Sequence, residues 1–382
     1  MFLPDPGSGF KKGACPPGRG GKTFEKHTEG RITMRSIRYF GNGDVHLAEV
    51  PEPQLVSPDD VKIRIAYCGV CGSDLHTKRA ELDQLYGDSV KDGLAMGHEA
   101  TGTVVELGPA ATAKGLKVGD RVVYYFNTHC GSCYHCRNGQ EQFCTSMRVN
   151  MSAMSDYLVV PEQSVYKLND TCSLPRGSLI EPISVCLHGI DLCRIKPGMT
   201  VAISGGGAMG LILTQLALRS GAAKLTVFEP IASKREMALK LGARYAIDPL
   251  AEDRVAAGQR ITNGIGYDVV IEASGNWRAC DGIQKLVARG GLLEFFAALY
   301  KHDYDYPMNL LDAFFQEITI VGGVMQSPYM FPRSVALADE LDLDALLVDG
   351  CVFTPEQVAD AFEAQMNGKT IKSLICFNPD AK

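Results

Sequence analysis

Four cysteines fall in one short run, Cys130-Gly-Ser-Cys133-Tyr-His-Cys136-Arg-Asn-Gly-Gln-Glu-Gln-Phe-Cys144. Four thiolates at this spacing can wrap one tetrahedral zinc at about 2.3 Å per bond, with backbone amides turned back toward the sulfurs. Such a site has no open position, so it would hold structure. Disulfides or unligated thiols are the alternative, but cysteines at intervals of three residues favour a metal. His129 and His135, nearby, read as loop residues. A second constellation is scattered: Cys71-Gly-Ser-Asp-Leu-His76, Gly97-His98-Glu99 and Ile180-Glu181-Pro182. Each is weak alone, because an isolated histidine is usually structural. Together they offer a thiolate, an imidazole and carboxylates. A zinc with three protein ligands keeps a fourth position for water or substrate, and lowers the pKa of an alcohol bound there. Ser73 and His76 stand where they could carry the released proton outward. Outside this context they would read as a turn serine and a helix-start residue.

The third constellation is Gly205-Gly-Gly207-Ala208-Met209-Gly210, which fits G-x-G-x-x-G between a strand and a helix. The glycines allow a tight turn, close approach of a pyrophosphate and close strand–helix packing, with the phosphates at the positive end of the helix. Glu229 ends the next strand at about the 20-residue distance expected of the acid that binds the adenosine ribose. It would repel the 2′-phosphate of NADP, which favours NAD. Lys234 pulls the other way, since it could reach a phosphate.

The elements that must position these groups differ between the two halves. From Arg35 to about Val160 the chain reads as short strands punctuated by glycine and proline. Val61–Ala66 alternates as a half-buried strand does, and Gly102–Gly108 and Gly119–Tyr125 look like strands bounded by glycine. Beyond Glu181, strands alternate with helices: Val201–Ser204, a helix over Met209–Arg219, Lys224–Glu229, a helix Ser233–Leu241 stopped by Gly242, Asp268–Ala273 and Gly290–Phe296. That alternation predicts βαβ units and a parallel sheet. Two further helices, Ser334–Leu341 and Pro355–Asn367, precede a last strand, Lys372–Phe377.

The bulk numbers agree with an ordinary globular protein. The 382 residues are 46% hydrophobic and 21% charged, with a formal charge of -6, so nothing calls for a nucleic-acid partner. No apolar stretch reaches the roughly 20 residues of a membrane helix. Residues 1–33 are rich in Gly, Lys and Pro and read as a disordered extension. A second reading starts translation at Met34, behind a codon stretch for Glu29-Gly30-Arg31 that can resemble a ribosome-binding site. Thirteen cysteines are many; Cys15, Cys68, Cys172, Cys186, Cys193, Cys280, Cys351 and Cys376 read as small neutral residues in a reducing, cytoplasmic compartment.

As a set, Gly97-His98-Glu99 through Gly102, Gly108 and Gly119-Asp120-Arg121-Val122, then the cysteine loop, then the glycine fingerprint, resembles the zinc-containing medium-chain alcohol dehydrogenase family over Met34 to Phe377. His98-Glu99 with Glu181-Pro182 is similar to its sorbitol and polyol branch, which includes idonate, galactonate, butanediol and threonine dehydrogenases. The resemblance implies an α/β fold: a GroES-like β-barrel catalytic domain with the zinc loop (34–181), a Rossmann doubly wound NAD-binding domain (182–325) and a return to the catalytic domain (326–382). It implies a catalytic zinc on Cys71, His98 and Glu99, with Glu181 holding the metal's water or ligating in turn, and a structural zinc on Cys130, Cys133, Cys136 and Cys144. It extends the cofactor site to Ser274. Dimers or tetramers are usual in the family. The expected reaction is hydride transfer between a secondary alcohol (polyol, sugar acid or vicinal diol) and NAD(H). An amino alcohol such as threonine is the rival substrate, and a non-catalytic NAD- or zinc-binding member the rival function. Gln326-Ser327, Thr77 and a shortened Cys144–Tyr157 segment depart from the sorbitol pattern at positions expected near the substrate.

Overall fold

The computed structural model describes residues 32–299 and 305–381. The extension expected at 1–33 lies outside the described residues except for its last two, and Thr33 already opens the first strand, Thr33–Tyr39.

The first lobe is built on Asp60–Gly69, a strand buried along most of its length. Glu99–Leu107 pairs with it antiparallel, Arg121–Tyr124 pairs with that strand, and Val165–Lys167 closes the row. Tyr157–Pro161 also pairs with Asp60–Arg64. On the other side Leu374–Cys376, from the far end of the chain, pairs antiparallel with Tyr67–Gly69. Gly69 thus has Leu374 across one ladder and Glu99 across the other. A three-stranded sheet of Val45–Pro51, Thr33–Tyr39 and Leu94–Ala95 completes the lobe. Gly102 is forced: a Cβ there would collide with the Arg64 carbonyl oxygen on the neighbouring strand.

The second lobe carries six parallel strands in the spatial order 245–247, 224–228, 200–204, 267–272, 287–295, 319–322. Along Thr200–Ser204, Val201 and Ile203 join one apolar cluster and Ala202 the other, so both faces of the sheet are covered. That is the doubly wound arrangement, and strand order reverses between Thr200–Ser204 and Tyr267–Glu272. Ligands of such sheets bind in the crevice beyond the carboxyl ends at this point. The helix Ile180–Cys193 joins the lobes. It packs on Ala208–Arg219 and Met330–Ala338, and its apolar residues share one core with Ala66 and Val123 of the first lobe and Val201 of the second. Among the described residues no helix is long and apolar enough to cross a membrane.

Several boundaries moved; the strand expected from Gly290 begins at Val287, and the last strand is Leu374–Cys376. The helix expected from Ser334 begins at Met330, because Pro332 sits in its first turn, where a missing N–H costs nothing. The one expected from Pro355 starts as a 3₁₀ turn, Pro355–Gln357, before Val358–Met366.

One core residue is out of character. Glu294, in the strand Val287–Phe295, is fully buried; its Oε2 accepts from the Cys193 thiol at 3.0 Å and its Oε1 has no partner. Gly189 and Gly323 make room for it: a Cβ on either would lie 2.8 or 3.0 Å from Oε1. Burial pushes this carboxyl from 4.5 up to about 7. Below about 4.5 both folded and unfolded chains are protonated; between about 4.5 and about 7 only the unfolded chain ionises, so stability falls as pH rises. Glu294→Gln removes this loss. Thermal unfolding should show the variant gaining on the parent by up to about 3 kcal/mol between pH 5 and pH 8, and a constant difference would contradict the assignment.

Candidate active site and metal centres

Cys71 caps the helix Gly72–Lys78, and its amide donates to the buried Asp74 Oδ2 at 2.8 Å, which fixes the backbone under the thiol. His98 and Glu99 enter the strand Glu99–Leu107 and are buried. The Cys71 sulfur, a His98 nitrogen and a Glu99 oxygen all lie within 4.8 Å of one another. His98 Nδ1 is buried without a hydrogen-bond partner. Burial disfavours a charged His98, yet the Cys71 thiolate and then Glu181 hold its pKa well above the ordinary range. The pocket is short of positive charge and has donor atoms of the types zinc takes, so the residues fit the metal.

Glu181 opens the helix Ile180–Cys193 and is buried. It lies outside the three-residue group: its Oε1 accepts from Gln326 Nε2 at 2.9 Å. Burial, opposed by His98 and reinforced by Glu99, lifts its carboxyl to about 7. Ser73 Oγ is buried with no partner, so it is not bonded to His76, whose Nδ1 pairs with Glu81. The expected two-residue relay is therefore not formed as such. Thr77 is buried, with its hydroxyl 2.8 Å from that of Tyr86.

Cys130, Cys133, Cys136 and Cys144 also converge within 4.8 Å. Bonds of about 2.3 Å to one tetrahedral ion require sulfurs about 3.8 Å apart; Cys133–Cys136 and Cys130–Cys136 stand at 3.5 and 4.0 Å. The Cys133 amide points at Cys130 Sγ (3.3 Å), and those of Cys130 and Ser146 at Cys144 Sγ (3.3 and 3.4 Å). The Ser132 hydroxyl, with the amides of Ser132 and Cys133, holds the Cys130 thiol down to about 5. Every described cysteine is a free thiol, so the disulfide alternative fails.

The crevice follows Ser204. Gly205 takes φ +109 and packs on Ser274, whose Cα would lie 2.8 Å from a Cβ. A Cβ on Gly210 would strike the Gly205 carbonyl, whereas Gly207 faces open space, the room a pyrophosphate needs beside the helix that begins at Ala208 and Met209. Glu229 is buried, and its carboxylate accepts from the amides of Gly206 (2.7 Å) and Ile231 (2.9 Å). The Ser274 amide donates to Glu272 Oε1 at 2.8 Å. Lys234 is partly buried, its Cε 4.0 Å from where a Cβ on Gly368 would sit.

Sequence reasoning missed two groups and the partners of a third. Lys372, buried just before the last strand, forms an ion pair with Glu99. Arg235 rather than Lys234 serves the Glu229 loop, donating to the Glu229 and Pro230 carbonyls (2.8 and 2.6 Å) and pairing with Asp248. Ser327, expected near the substrate, has its hydroxyl 2.6 Å from Glu141 Oε2 and 2.9 Å from Gln142 Oε1 in the cysteine loop. Only Arg235 carried a local signal, as a cation early in the helix after Glu229.

A dinucleotide crevice and a Cys–His–Glu metal set, one in each lobe of a shared core, define a metal-dependent dehydrogenase. Residues 57–170 match the alcohol dehydrogenase GroES-like domain and residues 208–340 the zinc-binding dehydrogenase domain. The chain is 32% identical over 340 residues to L-threonine 3-dehydrogenase of Pyrococcus horikoshii, covering 86% of this chain and 93% of that one. It is 30% identical to scyllo-inosose 3-dehydrogenase of Thermotoga maritima, covering 94% and 96%. The crystal structure of 2R,3R-butanediol dehydrogenase from Bacillus subtilis superposes with a TM-score of 0.77 at 26% identity, covering 90% of this chain and all of that one (100%). The chain belongs to the zinc-containing medium-chain alcohol dehydrogenase family, in its polyol dehydrogenase branch. It is a zinc-dependent enzyme that oxidises secondary alcohols with NAD(P).

The two metal sites should separate experimentally. Cys144→Ser should lose one zinc and lower the unfolding temperature by roughly 5 °C or more, since the loop then has buried acceptors and no ion. Cys71→Ser should lose the other zinc with a smaller shift. Metal analysis with thermal unfolding checks both, and full zinc content in either variant would contradict the ligand sets.

Proposed function

We propose that this enzyme oxidises a secondary hydroxyl of a polyol, vicinal diol or sugar acid to a ketone, with NAD preferred over NADP. The carrying observation is the unpaired polarity beside the metal set. Ser73 Oγ and Gln326 Oε1 are both buried without partners, and the Gln326 amide nitrogen is already committed to Glu181. Gln326 thus offers an acceptor, which suits a substrate carrying a further hydroxyl. Cys71, His98 and Glu99 would hold the zinc, which when bound lowers the pKa of the reacting hydroxyl. Ser73, whose buried Oγ is unpartnered, would relay the hydroxyl proton through a water entering the cleft, with His76 on the same short helix. Glu181 keeps a carboxylate available beside the ligands. The amides of Gly207, Ala208, Met209 and Gly210 would face the pyrophosphate, Gly205 makes the turn with its own amide donated to the Phe228 carbonyl at 2.8 Å, Ser274 backs it, and Glu229 would receive the ribose hydroxyls.

The NAD preference rests on how Glu229 is held. Two backbone amides pin its carboxylate, so it cannot turn aside for a 2′-phosphate. The domain limits 34–181, 182–325 and 326–382, a cytoplasmic location and a small-molecule partner without nucleic acid belong to the same reading. So does a homodimer: Thr319–Gly322 is an open sheet edge, with Ile320, Leu310, Leu311, Phe314 and Phe315 exposed on and beside it. A second reading, an amino alcohol substrate, is favoured by the buried Glu181 carboxylate, which could pair with an ammonium group.

Reduction of NAD+ and NADP+ should be followed over polyols, aldonates, butanediols and threonine, with and without a chelator. Chelator-sensitive turnover on a hydroxyl-rich substrate is expected, with kcat/KM for NAD+ at least about tenfold above NADP+ in the parent and a narrowed ratio in Glu229→Ser. Turnover on threonine alone would establish the second reading. No turnover in zinc-loaded protein would refute both.

A further inference from the structure

Residues 326–328 carry the chain from the last parallel strand, Thr319–Gly322, back to the first lobe, and they are held on every side. Gln326 and Ser327 are 0% and 1% exposed. The Tyr125 hydroxyl donates to the Gln326 carbonyl at 3.0 Å and the Tyr166 hydroxyl to that of Pro328 at 3.1 Å. The two side chains then reach different sites. Gln326 Nε2 donates to Glu181 Oε1, while Ser327 Oγ lies between Glu141 Oε2 and Gln142 Oε1. Glu141 and Gln142 belong to the short turn Glu141–Phe143, directly before Cys144. A continuous line therefore runs from the Cys144 sulfur through that turn to Ser327, Gln326 and Glu181.

We propose that Ser327 is a positioning residue through which the four-cysteine loop orients Gln326 on Glu181, so that this loop acts on the catalytic cleft as well as on stability. The inference rests on the dehydrogenase reading above for its kinetic consequence, but not for its structural one. A single buried hydroxyl meets two acceptor side chains from the metal loop. Deleting it takes the hydroxyl from a half-buried carboxylate and a buried amide, and such groups move to find new partners. The adjoining residue is the one bonded to Glu181, so that movement reaches the cleft.

The test uses protein loaded with both zincs and the variants Ser327→Ala, Ser327→Thr and Glu141→Gln. Zinc transfer to a chromogenic chelator is followed in time, with Cys71→Ser, which keeps only the four-cysteine metal, used to assign the phases. In Ser327→Ala, the zinc on Cys71, His98 and Glu99 should leave several-fold faster, on the order of three- to tenfold, and kcat/KM for the best alcohol should fall by a similar factor. Ser327→Thr, which keeps the hydroxyl, should restore both, and Glu141→Gln should fall between. Unchanged release and kinetics in Ser327→Ala would overturn the proposal, as would equal acceleration of both zinc phases with a lowered unfolding temperature, the mark of a merely structural bond. If the parent turns over no alcohol, the dehydrogenase reading fails while zinc release still decides the role of Ser327.

Discussion

The buried ion pair between Lys372 and Glu99 is the interaction on which the catalytic lobe turns. Both side chains are almost wholly out of water, 3% and 1% exposed, where an unpaired charge costs several kcal/mol. Lys372 reaches Glu99 because the last strand is laid beside Asp60–Gly69, so that Leu374, Gly69 and Glu99 fall in one row across three strands. Gly69 between them leaves the pair its room: a Cβ there would push on the Glu99 carboxylate and come within 3.0 Å of Lys372 Cε. A candidate metal-binding carboxylate early in the chain is thus set by a cation near its end, which ties completion of the fold to completion of the site.

The same pair sets the charge of the pocket. Cys71, Glu99, Glu181 and Asp74 bring acidic groups together, and Lys372 and His98 are the cations that bear on them. With Lys372 spent on Glu99, the remaining excess suits a divalent ion. Glu181 is pushed upward by burial, and Gln326 holds it in place without adding charge. The crevice follows a different logic, in which shape dominates: Gly207 faces open space, and the Glu229 carboxylate at the end of the next strand is tied down by amides.

Local signals made much of this legible. The cysteine spacing, the glycine fingerprint with Glu229 and the change from alternating to helical texture near Glu181 each depend on residues close in sequence, and each appears in the structure as two lobes with their sites. What sequence could not give are contacts made only by the closed fold. Lys372 looks like any strand-flanking lysine until its strand is placed beside Gly69. Ser327 was expected at the substrate by position, yet the cysteine loop captures its hydroxyl. Ser73 and His76 share one short helix, but facing is decided by packing, and His76 turns to Glu81. Glu294 gave no warning, because a lone acid in an apolar strand becomes tolerable only when Gly189 and Gly323 clear its space.

The most direct test of the central claim is the unfolding free energy of Lys372→Met beside the parent, each metal-free and zinc-loaded. The metal-free variant should lose about 3–5 kcal/mol, the usual result of removing one partner of a buried pair. Zinc, supplying a new cation to Glu99, should recover a larger increment in the variant than in the parent. Equal stability of the metal-free proteins, or equal increments on adding zinc, would show that Glu99 does not depend on Lys372 and would contradict the account.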